Sequence, residues 1–263
     1  MSHPSWELPG YETDDFKPKQ SRYCVVLFVI NENGRLHSQL QKMQILAADV
    51  DIVIADGGSS DGSVDEETLR AQGVNTLLVK TGPGRLGAQM RMAFAWAMDR
   101  GYDGVITMDG NDKDDASAMP LFVEALGAGV DHVQGSRFVP GGRAVNTPRS
   151  RLLAIKLIHA PRISRAAGFR YTDTTNGFRA YSRKFLLDPR VAPFRDVFSS
   201  YGLHYYLAVR AGELQFNIRE VPVTRSYPAT GKTPTKISPL RGNLEVLRIL
   251  RDVCRHRFDP EVG

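Results

Sequence analysis

Residues 104–115 read GVITMDGNDKDD, where a short apolar run ends abruptly in a cluster of acids. Residues 105–108 have the composition of a buried β-strand, and that strand ends at Asp109. One amide and three more carboxylates follow: Asn111, Asp112, Asp114 and Asp115. Open α/β sheets bind ligands at the carboxyl ends of their strands, and oxygen ligands of this kind suit Mg²⁺ or Mn²⁺. A solvated loop with helix-capping aspartates is the alternative.

The segments on the N-terminal side of this strand alternate between strand and helix. Residues 23–30 (YCVVLFVI) and 51–55 (DIVIA) are continuously apolar, as expected for strands covered on both faces. A further strand is predicted at 75–79, and helical spacing occurs at 36–46 and 88–100. This alternation predicts an α/β fold with a mostly parallel sheet and right-handed crossovers.

The second part of the chain is mixed. Its pattern predicts strands at 132–134, 177–181 and 216–223, helices at 119–126, 151–167, 201–211 and 244–255, and a loop at 231–239. Residues 1–20 are polar, contain three prolines, and are predicted to form a flexible N-terminal arm. Since no linker-like composition divides the remainder, residues 21–263 are predicted to be a single domain.

The composition excludes several classes of protein. With 42% hydrophobic and 24% charged residues, the chain resembles a soluble globular protein that can bury a core without disulfides. Its two cysteines, Cys24 and Cys254, lack metal-ligand spacing and are interpreted as reduced thiols. No segment approaches the roughly 20 apolar residues of a membrane span. We therefore expect a cytoplasmic protein, at most peripheral to a membrane.

The net charge of +5 is unevenly placed. Between residues 132 and 172 there is no acid, whereas eight basic residues occur: Arg137, Arg143, Arg149, Arg151, Lys156, Arg162, Arg165 and Arg170. Such one-sided charge attracts the phosphates of a nucleotide, a nucleic acid or a lipid headgroup, although a merely solvated basic face remains an alternative. We predict no nucleic-acid partner, because the acids at 109–115 would repel a phosphodiester backbone.

Two loops at strand ends are candidate ligand contacts. Asp56 ends the second apolar run, and the following glycines permit a tight turn before a helix cap. In residues 82–87 (GPGRLG) the glycines would let backbone N–H groups approach an anion, with Arg85 as a charge partner. The first strand is followed by Asn31 and Glu32 rather than by a G-x-G-x-x-G motif, which argues against a dinucleotide-binding domain.

Taken in order, five motifs resemble the family 2 glycosyltransferases of the GT-A fold. They are Asn31-Glu32, Asp56-Gly-Gly-Ser-Ser-Asp-Gly, Met108-Asp109-Gly-Asn111, Gly135-Ser-Arg137-Phe with Gly141-Gly142, and Asp173-Thr-Thr-Asn-Gly-Phe-Arg179-Ala-Tyr. The likeness spans about residues 22–240 and is greatest to the dolichyl- or polyprenyl-phosphate mannosyltransferases. It implies a Rossmann-like GT-A sheet flanked by helices, with a smaller mixed C-terminal part. The nucleotide-sugar half would cover about 21–115 and the acceptor half about 116–263.

The resemblance also implies site residues and partners. The donor would be a GDP- or UDP-sugar, transferred with inversion, and the cofactor Mg²⁺ or Mn²⁺. Predicted metal ligands are Asp109, Asn111 and Asp112. Predicted donor contacts are Asn31, Glu32, Asp56, Arg85, Lys232 and Lys236, the two lysines lying where the family has a basic loop that closes over the substrates. Predicted catalytic residues are Asp109, Arg137, Arg179 and His204, the two arginines serving phosphate recognition.

The chain departs from the family pattern at three places. Phe28-Val29-Ile30 replaces the usual Pro-x-Tyr before Asn31, which bears on base stacking. Gly57 replaces the second acid of the common Asp-Asp-Gly-Ser motif. Asn111 replaces the second metal aspartate, and its amide oxygen can ligate a hard cation but carries no charge.

The acceptor is left open by the sequence. A phosphate monoester is already ionised and needs no base, whereas an alcohol must lose its proton to a positioned group. The stretch FSSYGLHYY at 198–206 lacks the Glu-Asp pair of many alcohol-glycosylating relatives, which favours a polyprenyl phosphate. His204 or Asp173 as a base would instead suit a hydroxyl of a soluble small molecule or saccharide. Apolar and basic residues at 149–162 predict either a helix touching anionic lipid at the inner membrane face or ordinary core packing.

Overall fold

The computed structural model describes residues 5–44, 50–229 and 241–260. Its strands are β1 Tyr11–Asp15, β2 Tyr23–Val29, β3 Asp51–Asp56, β4 Thr76–Lys80, β5 Gly104–Asp109, β6 His132–Ser136, β7 Arg143–Val145, β8 Arg179–Ser182, β9 Ile218–Pro222 and β10 Thr224–Ser226. Its helices are α1 Gly34–Met43, α2 Glu66–Ala71, α3 Leu86–Asp99, α4 Met119–Gly127, α5 Arg149–Ala154, α6 Ala160–Ala167, α7 Arg183–Leu186, α8 Leu203–Glu213 and α9 Arg241–Val253.

Eight strands form one sheet in the order β1-β4-β3-β2-β5-β8-β6-β9. The central strands β4, β3, β2 and β5 are parallel, β8 runs antiparallel between β5 and β6, and β9 is parallel to β6. The predicted α/β class with a mostly parallel sheet is therefore confirmed. Strands from both predicted halves share this sheet, while the division into a donor and an acceptor half remains a prediction.

Helices bury both faces of the sheet. On one face α3 lies against the strands, and α8 and α9 contribute to the same apolar cluster. On the other face α1, α2 and α4 pack over a second cluster. This double cover explains why β2 and β3 read as continuous apolar runs rather than as alternating ones.

The prediction of a flexible arm is wrong for part of residues 1–20. Tyr11–Asp15 form β1, which pairs antiparallel with β4 and forms one edge of the sheet. Just before it, Trp6 stacks on Phe194 with ring centroids 4.1 Å apart. The acidic sequence YETDD lacks the apolar pattern of a buried strand, and acids at an exposed edge discourage pairing with another chain.

The helix predicted at 151–167 is interrupted. A π-helical segment, Ile155–His159, separates α5 from α6. Strands β7 and β10, which form a small parallel pair of their own, were not predicted because each has only three residues. No helix in the described ranges has both the length and the apolar character that crossing a bilayer requires.

Candidate active site at the carboxyl ends of β2, β3 and β5

Three of the predicted positions meet at one edge of the sheet. Because β2, β3 and β5 are adjacent and parallel, their carboxyl ends lie side by side. In the register of the sheet, Val29 lies opposite Asp56, and Phe28 lies opposite Asp109. Asn31 and Glu32 begin the loop that leaves β2. The strand ends predicted from the sequence therefore form one site.

The loops after β2 and β3 are bonded to each other. The Asn31 backbone N–H donates to Ser59 Oγ at 2.8 Å, and the Ser60 N–H donates to Asn31 Oδ1 at 2.8 Å. Asn31 has a φ of 48°, a left-handed conformation that asparagine tolerates. Glu32 is buried and accepts two hydrogen bonds from Arg35 at 2.8 and 3.0 Å. These bonds fix the shape of the two loops before a ligand binds.

Asp56 shapes its own turn. Its carboxylate accepts the N–H groups of Gly58 and Ser59 at 2.9 and 2.8 Å and the Ser59 hydroxyl at 2.5 Å. Only 1% of Asp56 is exposed. The predicted contact between this carboxylate and a nucleoside is therefore not available in this conformation, and the groups that the turn presents are its backbone and Ser59.

Asp109 is held by an arginine that is distant in sequence. The Arg225 guanidinium donates to Asp109 Oδ2 at 2.7 Å, and its other terminal nitrogen forms an ion pair with the buried Asp114. Burial opposes the ionisation of Asp109, but the nearby Arg225 outweighs it and lowers the pKa of this carboxyl. The Asp109 side chain keeps 30% of its surface exposed. It is thus an ionised carboxylate that remains open to a ligand.

Asn111 lies beside Asp109 and contributes an unusual atom. Its Nδ2 lies 3.4 Å from Asp109 Oδ2, so its carbonyl oxygen points the other way. That oxygen is buried and accepts no hydrogen bond from the residues that the structure describes. A buried acceptor without a donor is costly, and it is often a place where an ion or water belongs.

Asp112 is directed away from Asp109 in this structure, and its predicted role as a metal ligand stays a prediction. Its φ is 56°, and the turn directs its carboxylate to α1, where it accepts Ser38 Oγ at 2.7 Å and forms an ion pair with Lys42 at 2.7 Å. Spacing alone places Asp112 beside Asn111. The left-handed backbone conformation is what turns it away.

Arg85 and Gly87 already make contacts within the protein. The N–H groups of Arg85 and Gly87 donate to the carbonyls of Ser199 and Ser200, at 2.7 and 2.6 Å. The Arg85 guanidinium forms an exposed ion pair with Glu245 of α9 at 3.1 Å. These contacts show close backbone packing at Gly87, and a contact between Arg85 and a phosphate stays a prediction.

Arg137 is turned inward. It forms a two-point ion pair with Asp173, at 2.6 Å from Nε and 2.9 Å from Nη2, and the two side chains are 1% and 0% exposed. Burial opposes ionisation of Asp173, but its bonds with Arg137 lower the pKa of the carboxyl. Asp173 is thus unsuited to act as a base. Recognition of a phosphate by Arg137 stays an untested prediction, since the described contacts are structural.

Arg179 is a buried crosslink. It donates to the backbone carbonyls of Thr174, Asn176 and His204 at 2.6 to 2.8 Å. The loop it holds passes close to Asp109, because a Cβ on Gly177 would lie 2.9 Å from Asp109 Oδ1. Arg179 therefore supports the site from behind, and its predicted contact with a phosphate is not available in this conformation.

His204 is partly exposed near Asp109. Burial, and then the positive charge of Arg179, lower the pKa of its imidazole to about 3, although Asp109 acts in the opposite direction. The imidazole is therefore neutral at pH 7. The predicted donor contacts Lys232 and Lys236 lie outside the described residues.

Two functional candidates escaped the sequence reasoning. Arg225 is the central residue of β10, far along the chain, and no local motif marks it. Lys113 is 8% exposed, lies near enough to Asp109 to lower the pKa of that carboxyl, and has its ammonium 5.5 Å from the centre of the Tyr227 ring. The signal that was available is the position of Lys113 inside the acidic stretch, where a cation interrupts four aspartates.

Comparisons with known proteins identify the family. The chain is 32% identical over 208 residues to the undecaprenyl-phosphate mannosyltransferase of Micrococcus luteus, which is 77% of this chain and 83% of that protein. It is 30% identical over 236 residues to the polyprenol monophosphomannose synthase of Mycolicibacterium smegmatis, covering 88% of this chain and 87% of that protein. A scan against protein-family models gives no match.

Solved structures share the fold. Glucosyl-3-phosphoglycerate synthase of Mycobacterium tuberculosis, in complex with phosphoglyceric acid, superposes with a TM-score of 0.64 at 19% identity, over 92% of this chain and 81% of that one. The same protein with Mn²⁺, uridine diphosphate and phosphoglyceric acid gives a TM-score of 0.63 at 18% identity, over 92% and 80%. At such low identity the likeness shows the fold alone.

Proposed function

We propose, since the chain belongs to the family 2 glycosyltransferases and is a glycosyltransferase, that it transfers a sugar from a GDP- or UDP-sugar, with inversion, to the phosphate of a polyprenyl phosphate. The names of the two curated relatives support this acceptor class. The observation on which the proposal rests is the pair of Asp109 and Asn111 at the carboxyl end of β5, with its unsatisfied amide oxygen.

The residues present fit a divalent cation. Asp109 supplies an ionised, partly exposed carboxylate, and Asn111 Oδ1 is a buried acceptor to which none of the described residues donates. Mg²⁺ or Mn²⁺ takes such oxygen ligands together with those of a diphosphate. Among the solved neighbours, the synthase was crystallised with Mn²⁺ or Mg²⁺ and uridine diphosphate, which supports the choice. When bound, the ion would neutralise charge on the departing nucleoside diphosphate.

The protein's own cations add to this stabilisation. Negative charge grows on the diphosphate as the sugar leaves through an oxocarbenium-like state. Arg225 and Lys113 lie beside Asp109 and bring positive charge to the same rim. Charges fixed in advance in a partly buried site are effective because they need no reorganisation during the reaction.

The two candidate bases, His204 and Asp173, are both unsuited to deprotonate an alcohol, which favours a phosphate acceptor. An efficient general base has a pKa near the working pH. His204, with a pKa of about 3, falls far below it, and Asp173 is committed to Arg137. A phosphate monoester needs only positioning, because it is already ionised at neutral pH.

We also propose peripheral contact with the inner face of the membrane, through α5 and the π-helical segment. Leu153 and Leu157 are 59% and 70% exposed, and the exposed Lys156 lies between them in sequence. Apolar side chains flanked by cations suit the surface of an anionic bilayer. The double change Leu153→Ser and Leu157→Ser should reduce cosedimentation with vesicles of anionic phospholipid, and unchanged cosedimentation would contradict this contact.

The test of the function is transfer of labelled sugar to a short-chain polyprenyl phosphate, with GDP- and UDP-sugars screened in Mg²⁺, Mn²⁺ or EDTA. Asp109→Asn should reduce turnover by at least about a hundredfold, the scale of losing a main electrostatic contact. Asp103→Asn is the matched control, because Asp103 immediately precedes β5 at its opposite end and pairs with the exposed Arg22. Full activity of Asp109→Asn, or of the wild type in EDTA, would overturn the proposal.

A hydroxyl acceptor is the second candidate, since His204 is partly exposed near Asp109. A soluble small molecule or saccharide would then need this imidazole as its base. His204→Ala distinguishes the two cases. A large loss of kcat indicates an alcohol acceptor, and nearly unchanged kcat indicates a phosphate.

A further inference from the structure

A glutamine of α3 bridges the two strands that carry the proposed donor loops. Gln89 is 5% exposed, and its Nε2 donates to Val29 O at 2.9 Å and to Ala55 O at 3.0 Å. Val29 is the last residue of β2, and Ala55 is the penultimate residue of β3. One side-chain amide thus joins the ends of two parallel strands at the point where their chains diverge.

The bridge lies directly beneath the loops of the site. Val29 O also accepts the backbone N–H of Gly57 at 2.8 Å. Asn31 begins two residues after Val29, and Asp56 follows Ala55. Any change in the separation of the two carbonyls would therefore move the loop after β2 and the turn after β3 relative to each other.

Gly57 and Gln89 occupy complementary space. A Cβ built on Gly57 would lie 3.0 Å from Gln89 Nε2 and 3.2 Å from its Cδ, which is closer than most real Cβ contacts. The amide of Gln89 fills the volume that a side chain at position 57 would need.

We propose that Gln89 is a positioning residue for the nucleoside part of the donor, and that its amide occupies the space beside Gly57. The inference rests on the proposed function, because the loops that Gln89 orients are those assigned to the nucleotide. Gln89 contacts backbone carbonyls and is not assigned a contact with the reacting atoms. It acts through Val29 and Ala55.

The test compares Gln89→Leu with Gln41→Leu, a matched change at an exposed position of α1. Leucine keeps the approximate volume of Gln89 but donates no hydrogen bond. The KM for the nucleotide-sugar should rise about tenfold, the equivalent of losing roughly one buried hydrogen bond, while kcat changes less than about threefold. Equal KM values for Gln89→Leu and wild type would overturn the inference, as would an equal fall in kcat and kcat/KM.

A second pair of variants tests the exchange of space. Gly57→Asp alone should clash with Gln89 and raise the KM. Gly57→Asp combined with Gln89→Ala should raise the KM by less than the product of the two single effects, because the smaller residue vacates the volume although the bridge stays lost. If the double variant is as poor as the sum of its single changes, the complementarity is wrong.

Hydrogen exchange of the ligand-free protein separates this inference from the proposed function. Gln89→Leu should accelerate amide exchange in residues 56–60, and Gln41→Leu should not. If the wild type shows no thermal shift with uridine or guanosine diphosphate but the exchange difference is present, the proposed function is wrong, while the ordering of residues 56–60 by Gln89 is still supported. If the nucleotide binds but exchange and KM are unaffected by Gln89→Leu, the positioning fails alone.

Discussion

Breaking the buried pair of Arg137 and Asp173 should destabilise the fold more than any change to the surface ion pairs. Arg137→Met removes the guanidinium that bonds Asp173 at 2.6 and 2.9 Å. The carboxylate would then stay in a site with 0% side-chain exposure and without its cation. Asp173 would keep only its weaker bonds, such as that from the Thr175 N–H at 3.1 Å.

The expected loss is about 3–5 kcal/mol, the usual cost of leaving one partner of a buried pair alone. For a domain of this size each kcal/mol corresponds to roughly 2–4 °C in Tm, so Tm should fall by about 10 °C. Arg137→Met combined with Asp173→Asn should lose less than the sum of the single changes, since the second change removes the unpaired charge. The difference should be on the order of 2 kcal/mol.

Urea denaturation followed by circular dichroism measures these losses. Arg22→Met is the control, because Arg22 and Asp103 form a pair whose side chains are 72% and 47% exposed, and breaking it should cost less than about 1 kcal/mol. Equal losses in Arg137→Met and Arg22→Met, or strict additivity in the double variant, would refute the reasoning. Arg137 would then be available for a ligand, as its predicted role in phosphate recognition requires.

Three further outcomes follow from the structure. Gly87→Ala should lower the free energy of unfolding, measured by urea denaturation, by about 1–3 kcal/mol, because the added Cβ would lie 2.4 Å from Phe198 O. Gly34→Ala, whose added Cβ would have no atom within 4 Å, should be neutral or slightly stabilising, and equal effects of the two changes would contradict the close packing at Gly87. Burial and then Arg179 lower the pKa of His132 to about 3, so the unfolded protein binds more protons than the folded one below about pH 6.5, and this group should reduce the free energy of unfolding by roughly 1.4 kcal/mol per pH unit as the pH drops towards 3. His132→Phe should remove this part of the pH dependence of the free energy of unfolding, and an unchanged dependence would show that His132 does not cause it. Asp112→Asn should keep transfer activity within about twofold while losing only the Lys42 pair, and a loss as large as that of Asp109→Asn would restore Asp112 to the metal site.

The order of the elements could be predicted where buried strands have continuously apolar sequences. The strands that end at Val29, Asp56 and Asp109 have apolar, buried interiors because helices cover both faces, so the positions of their carboxyl ends could be predicted. β1 was missed for the opposite reason. It lies at the edge, and its acidic sequence reflects exposure rather than burial.

The candidate site was predictable only as far as it is local. One left-handed φ directs Asp112 away from Asp109, and residue spacing does not report φ. Arg225 was not predicted because it reaches Asp109 across 116 positions of the chain. The backbone contacts of the loop that contains Arg85 were not predicted, because a glycine-rich loop that packs tightly against another backbone can have the same sequence as one that binds a phosphate.

The contacts around Asp109 also explain how an acidic stretch of sequence can receive an anionic donor. In space the four aspartates are dispersed, and each has its own role: Asp112 pairs with Lys42, Asp115 caps a helical turn by accepting the Ser117 N–H, and Asp114 is buried against Arg225. Asp109 keeps part of its surface exposed beside Arg225. Arg225 and Lys113 together offset the charges of Asp109 and Asp114, so this part of the rim is close to neutral before a ligand arrives. A diphosphate that enters with one divalent cation would therefore meet little repulsion from the rim. The acidic sequence of residues 109–115 alone does not show this, because it does not reveal the cations that lie beside the carboxylates.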